Sequence, residues 1–193
     1  MSKFKVIIIG DTYTGKTSLI TQYAKNIFQK SYLPTVLPNL QTVNSSFNCE
    51  LDIWDTAGTE QWQSLNSTIY HHTDALIFLC SYDRQDSLDN IQNLWIPRIN
   101  GYISLDKIPI YLAINKSDLR DEEKYIEEAQ FERIASEINA IQFFSVSAKE
   151  NKNVRELFDT VAEKLSSQVQ NHAVTGSAVH VTNGEASQEK KCC

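Results

Sequence analysis

No apolar run among the 193 residues approaches 18, so the sequence offers no candidate transmembrane helix. The opening stretch Met1-Ser2-Lys3-Phe4-Lys5-Val6 lacks the apolar h-region and small-residue cleavage site of a signal peptide. A basic excess is missing too. Eighteen Lys and Arg face 24 Asp and Glu, a net charge of −6, which argues against a general nucleic-acid binder. Cysteine is scarce: Cys49 and Cys80 stand alone in strand-like apolar surroundings, and Cys192 and Cys193 close the chain. That spacing resembles neither a disulfide framework nor a zinc site. Internal repeats are absent. These absences predict a reduced, cytosol-facing protein, and a 41% hydrophobic composition places it among globular chains of about one domain.

What is present is an alternation. Val6-Ile7-Ile8-Ile9, Ala75-Leu76-Ile77-Phe78-Leu79-Cys80, Ile110-Tyr111-Leu112-Ala113-Ile114 and Phe143-Phe144-Ser145-Val146 are short continuous apolar runs, as in parallel strands covered on both faces. Helical stripes lie between and after them: Phe131, Ile134, Ala135, Ile138, then Val154, Leu157, Phe158, Val161, Leu165. The pattern predicts an α/β fold with right-handed crossovers. From Leu40 to Trp54, two strand-like stretches flank Asn44-Ser45-Ser46 with no room for a helix, so a β-hairpin adds one antiparallel strand. Apolar periodicity fades after Leu165, which divides the chain into a domain over 1–168 and a flexible tail over 169–193.

Gly10-Asp11-Thr12-Tyr13-Thr14-Gly15-Lys16-Thr17 follows the first strand and opens a helix. It fits G-x-x-x-x-G-K-[ST], a turn whose backbone N–H groups converge on phosphate oxygens at a positive helix end. Lys16 would reach the β- and γ-phosphates, the Thr17 hydroxyl would ligate Mg²⁺, and Ser18 counts among the nucleotide contacts. In Trp54-Asp55-Thr56-Ala57-Gly58, Asp55 would hold a metal-bound water and the Gly58 N–H would sense a γ-phosphate. In Asn115-Lys116-Ser117-Asp118, the last carboxylate can accept hydrogen bonds from the N1–H and 2-amino group of guanine. Adenine offers no such pair of donors, and an unpaired buried group rejects an analogue by about 10⁴-fold. Ser147-Ala148-Lys149 would present a backbone N–H to guanine O6.

In order and spacing, these motifs resemble the Ras superfamily of small GTPases, over Lys3 to about Leu165. The resemblance implies a P-loop fold of six mostly parallel strands flanked by five helices. It implies GTP and GDP as ligands, Mg²⁺ as cofactor, and a membrane-recruited molecular switch. Phe28 matches the aromatic that packs on guanine, Thr35 the switch I threonine on Mg²⁺ and the γ-phosphate, and residues 58–70 switch II. Exchange factors, GTPase-activating proteins and effectors would act through the two switches. Lys16, Thr35, Gly58 and Thr59 form the implied catalytic set, although Thr59 stands where the family carries a glutamine. That departure predicts slow hydrolysis.

The branch is read from finer features. Cys192-Cys193 looks like the doubly prenylated end of Rab proteins, so the expected location is the cytoplasmic face of an intracellular membrane, in exchange with the cytosol. Tyr32-Leu33-Pro34-Thr35-Val36-Leu37-Pro38-Asn39, Thr73-Asp74 and Trp95-Ile96-Pro97 resemble Rho proteins, but the span from Asp118 to Ser147 is too short for the extra Rho helix. A divergent Rab in vesicle traffic is the favoured reading; a Rho-like signalling GTPase or a GTP-binding adaptor with almost no hydrolysis are the alternatives. A small P-loop kinase would lack the Asn115–Asp118 element. Trp95 is expected in the core with Leu88 and Ile91, Trp62 at an effector surface, and His71-His72 without a metal for want of a third ligand.

Overall fold

A computed structural model describes residues 1–30, 35, 38–56, 67–119 and 126–175. The elements in chain order are β1 (Ser2–Ile9), α1 (Lys16–Lys25), β2 (Asn39–Asn44), β3 (Cys49–Asp55), α2 (Ser67–Tyr70), β4 (Ala75–Ser81), α3, β5 (Ile110–Asn115), α4 (Glu128–Glu137), β6 (Gln142–Ser145) and α5 (Val154–Thr175). The helix α3 is continuous but irregular: Gln85–Asn90 and Ile96–Ile99 are α-helical, and Ile91–Trp95 between them is a π-turn. The sheet order is β2-β3-β1-β4-β5-β6. Among the described strands only β2 runs antiparallel, paired with β3 in the expected hairpin. The other four pairings are parallel.

Alternation along the strands builds two cores. Side chains two apart on a strand share a face. Val6 and Ile8 therefore join Leu19, Ile20, Phe158 and Val161 beneath α1 and α5. Ile7 and Ile9 join Phe78, Ile91, Trp95, Phe131 and Ile134 beneath α3 and α4. Both helical stripes read from the sequence face inward, and Cys49 and Cys80 are buried small side chains. At the β6 edge the apolar run is only half covered, with Phe143 exposed. Pro97 is the second residue after the π-turn. Its missing N–H and its ring exclude a regular hydrogen bond there.

The last helix runs on to Thr175, past residue 168, where the sequence pattern ends the domain. Gln, Asn and Ala are compatible with a helix, and a helix already nucleated by packing propagates at little cost. Loss of apolar periodicity marks the end of the core here, not the end of the helix. Residues 176–193, with Cys192 and Cys193, lie outside the described residues, as do Tyr32, Leu33, Pro34, Gly58, Thr59 and Trp62.

The register sets the site. Ile8 pairs with Asp55, Ser81 with Asn115, and Ile114 with Ser145. The carboxyl ends of β1, β3, β4, β5 and β6 thus share one rim of the sheet, where open α/β folds bind ligands.

Candidate functional site

The loop from Gly10 to Gly15 leaves β1 at that rim in a shape that needs glycine at both ends. A Cβ on Gly10 would lie 2.0 Å from the Leu79 carbonyl oxygen, and one on Gly15 would lie 2.4 Å from the Asn115 amide nitrogen. Gly15 has φ +90°, where an L side chain is strained. Asn115 closes the ring around the loop: its Nδ2 donates to the Thr14 carbonyl at 2.9 Å, and its Oδ1 accepts from the Ala148 N–H at 3.1 Å. One buried amide therefore ties the phosphate loop to both base-side segments, as the order of the motifs requires.

Lys16 is buried, and its Nζ donates to the carbonyls of Gly10 at 2.7 Å and Asp11 at 2.8 Å. Burial pulls its pKa down to about 8, against the opposing pull of Asp55 and Asp11; the nearby Arg84 lowers it further. The cation is thus poorly compensated and available to an incoming anion.

Three oxygen-bearing side chains meet beside it. The Thr17 hydroxyl donates to Asp55 Oδ2 at 2.5 Å and lies 2.7 Å from the Thr35 hydroxyl, which is 3.4 Å from the same carboxylate oxygen. Asp55 is almost fully buried, and its other oxygen, Oδ1, has no hydrogen-bond partner among the described residues. Burial raises its pKa, opposed by Thr17, Lys16 and Thr35. An orphaned carboxylate oxygen beside two hydroxyls fits a hard divalent cation that keeps oxygen ligands. His71 and His72 contribute nothing comparable, and no cluster of three metal-binding His, Cys, Asp or Glu occurs among the described residues.

On the base side, a cleft of about 450 Å³ opens between the loop, Phe28, Asp118 and Lys149, with Ser18 and Lys116 also on its wall. Phe28 is half-buried and packs on the core. Asp118 accepts from the Ser147 hydroxyl at 2.6 Å and from Lys149 Nζ at 2.9 Å. Burial opposes its charge, but these hydrogen bonds outweigh burial and hold the carboxyl below its usual range. An ionised carboxylate offers about four lone-pair sites, so two remain for a base. All the described motif residues thus line one rim: Gly10 to Ser18, Phe28, Thr35, Asp55, Asn115, Lys116, Asp118, Ser147, Ala148 and Lys149.

A model of the Ras family matches residues 5–167. The chain belongs to the Ras family. It is 38% identical over 158 residues to a GTP-binding RHO-like protein of Candida albicans, covering 80% of this chain and only 44% of that relative. It is 34% identical over 169 residues to GTP-binding protein rho1 of Schizosaccharomyces pombe, covering 81% and 83%. Against Ras-related protein RabC of Dictyostelium discoideum, identity is 28% over 195 residues, covering 98% and 97%. The chain is a small GTPase of the Ras superfamily, and the relatives carry both Rho and Rab names.

Several contacts around this Ras-family site escape its motifs. Asp83 pairs with Lys116 at 2.7 Å, and Arg84 donates to the Thr12 carbonyl at 2.6 Å, so the turn after β4 touches both the base loop and the phosphate loop. The Thr56 hydroxyl donates to the Ile8 carbonyl at 2.7 Å and fixes the exit of β3. Trp95 is buried with Leu88 and Ile91 as expected, but its indole N–H also reaches Asp11. No sequence signal marks Asp83 or Arg84, because a turn residue's partner across the rim has no fixed spacing.

Proposed function

We propose that this protein is a Mg²⁺-dependent GTP/GDP switch that hydrolyses GTP slowly and is carried to an intracellular membrane by lipid on Cys192 and Cys193. The observation that carries the nucleotide reading is the common rim. The ionised Asp118 and Thr17 line one cleft, and Thr17 joins it to the orphaned Asp55 carboxylate, to Thr35 and to the adjacent buried, poorly compensated Lys16 on the same rim. The loop N–H groups and Lys16 would hold the phosphates, and Thr17, Thr35 and Asp55 (through water) would hold Mg²⁺. Bound there, Mg²⁺ would offset the phosphate charge. Asp118 would select guanine by its two donors, while Phe28 would cover the ring.

In a GTP switch, the γ-phosphate orders two segments that hydrolysis releases. Thr35 and Gly58 are the residues for that contact. Thr59 is too short to hold both an attacking water and the γ-phosphate, which weakens the positioning that phosphoryl transfer depends on. Exchange factors, GTPase-activating proteins and effectors would act on the two segments, and activating proteins could supply the missing groups in trans. The protein should bind GDP and GTP with Mg²⁺ and discriminate against ATP by about 10⁴-fold; equal affinity for ATP and GTP would refute the assignment.

For the branch, the adjacent thiols of Cys192-Cys193 favour a Rab-type role in vesicle traffic, since two lipid chains give the stable anchoring that one does not. The Rho-type reading is favoured by the 34–38% identity to Rho-named relatives. Localising the tagged full-length protein in its own cell decides between them: vesicle or organelle membranes support the first, the cell cortex the second.

A further inference from the structure

Asp11 is the second residue of the phosphate loop, yet its carboxylate is turned onto α3. Trp95 Nε1 donates to Oδ1 at 2.8 Å and Asn90 Nδ2 donates to Oδ2 at 2.8 Å. The Arg84 guanidinium lies 3.9 Å from Oδ2 while it holds the Thr12 carbonyl. On a regular helix, at about 100° per residue, side chains five apart diverge by roughly 140° and could not share one small acceptor. The π-turn removes that divergence. The Ile96 N–H bonds to the Ile91 carbonyl, five residues back, and such bonding stacks residues five apart. The irregularity in α3 therefore has a chemical result: it aims two neutral donors at a nearly buried carboxylate.

That carboxylate is a hazard to the site it belongs to. A negative charge next to N–H groups meant for a polyphosphate opposes binding unless donors hold it elsewhere. We propose that Asn90 and Trp95 are positioning residues that latch Asp11 away from the phosphates and so set how long bound nucleotide stays. This rests on the reading of the cleft as a guanine-nucleotide site and assigns its residence time to residues of α3 outside every nucleotide-binding motif.

The test uses the full-length protein loaded with a fluorescent GDP analogue in Mg²⁺, chased with excess GDP. Trp95→Phe keeps an aromatic ring and removes the N–H; Asn90→Ala removes the other donor at a half-buried position. Each should speed GDP release by about tenfold, whereas Gln92→Ala, whose side chain bonds Glu137 instead, should not. Adding Asp11→Asn to either variant should bring release back to within about threefold of wild type, because the harm comes from a freed charge. General loosening of α3 would not be cured by removing that charge.

Unchanged release in folded Trp95→Phe and Asn90→Ala overturns the latch. So does faster release that Asp11→Asn fails to rescue. If melting curves show that Trp95→Phe does not fold, Asn90→Ala and its Asp11→Asn double variant decide alone. Wild-type protein that fails to bind GDP refutes the reading of the cleft itself, a different outcome from a normal wild type with indifferent latch variants.

Discussion

Raising the pH should loosen nucleotide binding while it tightens the empty fold, and both effects trace to Lys16. Its pKa in the folded chain is about 8, against 10.5 for an ordinary lysine, because its ammonium is buried with carbonyl partners and incomplete charge compensation. Between those two values the unfolded chain holds more protons than the folded one, so the nucleotide-free protein gains stability as pH rises from 8 toward 10.5. Below pH 8 the buried charge is a full cost. A polyphosphate reverses the balance by favouring the ammonium, so nucleotide binding above pH 8 must take up a proton. The dissociation constant for GDP should stay flat below pH 8 and then rise with a slope approaching tenfold per unit. At pH ~8.8 binding should be about sevenfold weaker than at pH ~7, a loss of roughly 1.2 kcal/mol. Loss of the guanine N1 proton, which the contact to Asp118 also needs, begins in the same range but stays partial there, so its effect is small beside that of Lys16. Titration calorimetry in buffers of different ionisation enthalpy should register proton uptake approaching one per GDP at the upper end. A flat dissociation constant with no proton uptake would refute the argument that burial holds Lys16 ready for the phosphates.

Asp118→Asn should shift preference from guanine toward xanthine nucleotides, whose 2-oxo group needs a donor, and competition binding with GDP and XDP reads this directly. Asn115→Ala should weaken binding of both GDP and GTP and lower the melting temperature, since the Thr14 carbonyl and the Ala148 N–H each lose their partner, at about 1–3 kcal/mol for each buried group left unpaired. Cys192→Ser with Cys193→Ser should leave GTP binding intact and make the protein wholly cytosolic in cell fractionation; persistent membrane association would place the anchor elsewhere. Thr59→Gln should raise single-turnover GTP hydrolysis by about tenfold from a starting rate at or below the Ras scale of about 10⁻⁴ s⁻¹. An unchanged or slower rate would clear Thr59 and make Tyr13→Gly the next substitution, because Tyr13 stands exposed on the phosphate loop with φ +68°.

What the sequence could and could not disclose follows from how each feature is encoded. Ile7 and Ile8 declare a strand buried on both faces, and the structure sends them to opposite cores. The phosphate loop is equally legible, because Gly10 and Gly15 are demanded by contacts under 2.5 Å that only a glycine survives. Asn115 is legible as part of a motif, yet its double role between Thr14 and Ala148 depends on the register of β5 beside β4 and β6, which no local pattern contains. Helix ends are weaker still. The fading of apolar residues after Leu165 reports where α5 leaves the core, while the helix itself continues to Thr175.

Least visible is the side of the site that faces α3. Asp11 reads as one more variable position in a phosphate loop, Asn90 as a polar helix residue and Trp95 as core. Asn90 and Trp95, five apart, belong to different faces under the helical period used to read the sequence. A π-turn is the one local geometry that unites them, and it has no period of its own to detect. The one sequence hint is Pro97, which cannot continue a regular ladder and so marks where α3 departs from the 3.6 period. That departure carries the charge of the phosphate loop onto α3. The motifs therefore describe what this site binds, and the contacts between them govern how firmly it is held.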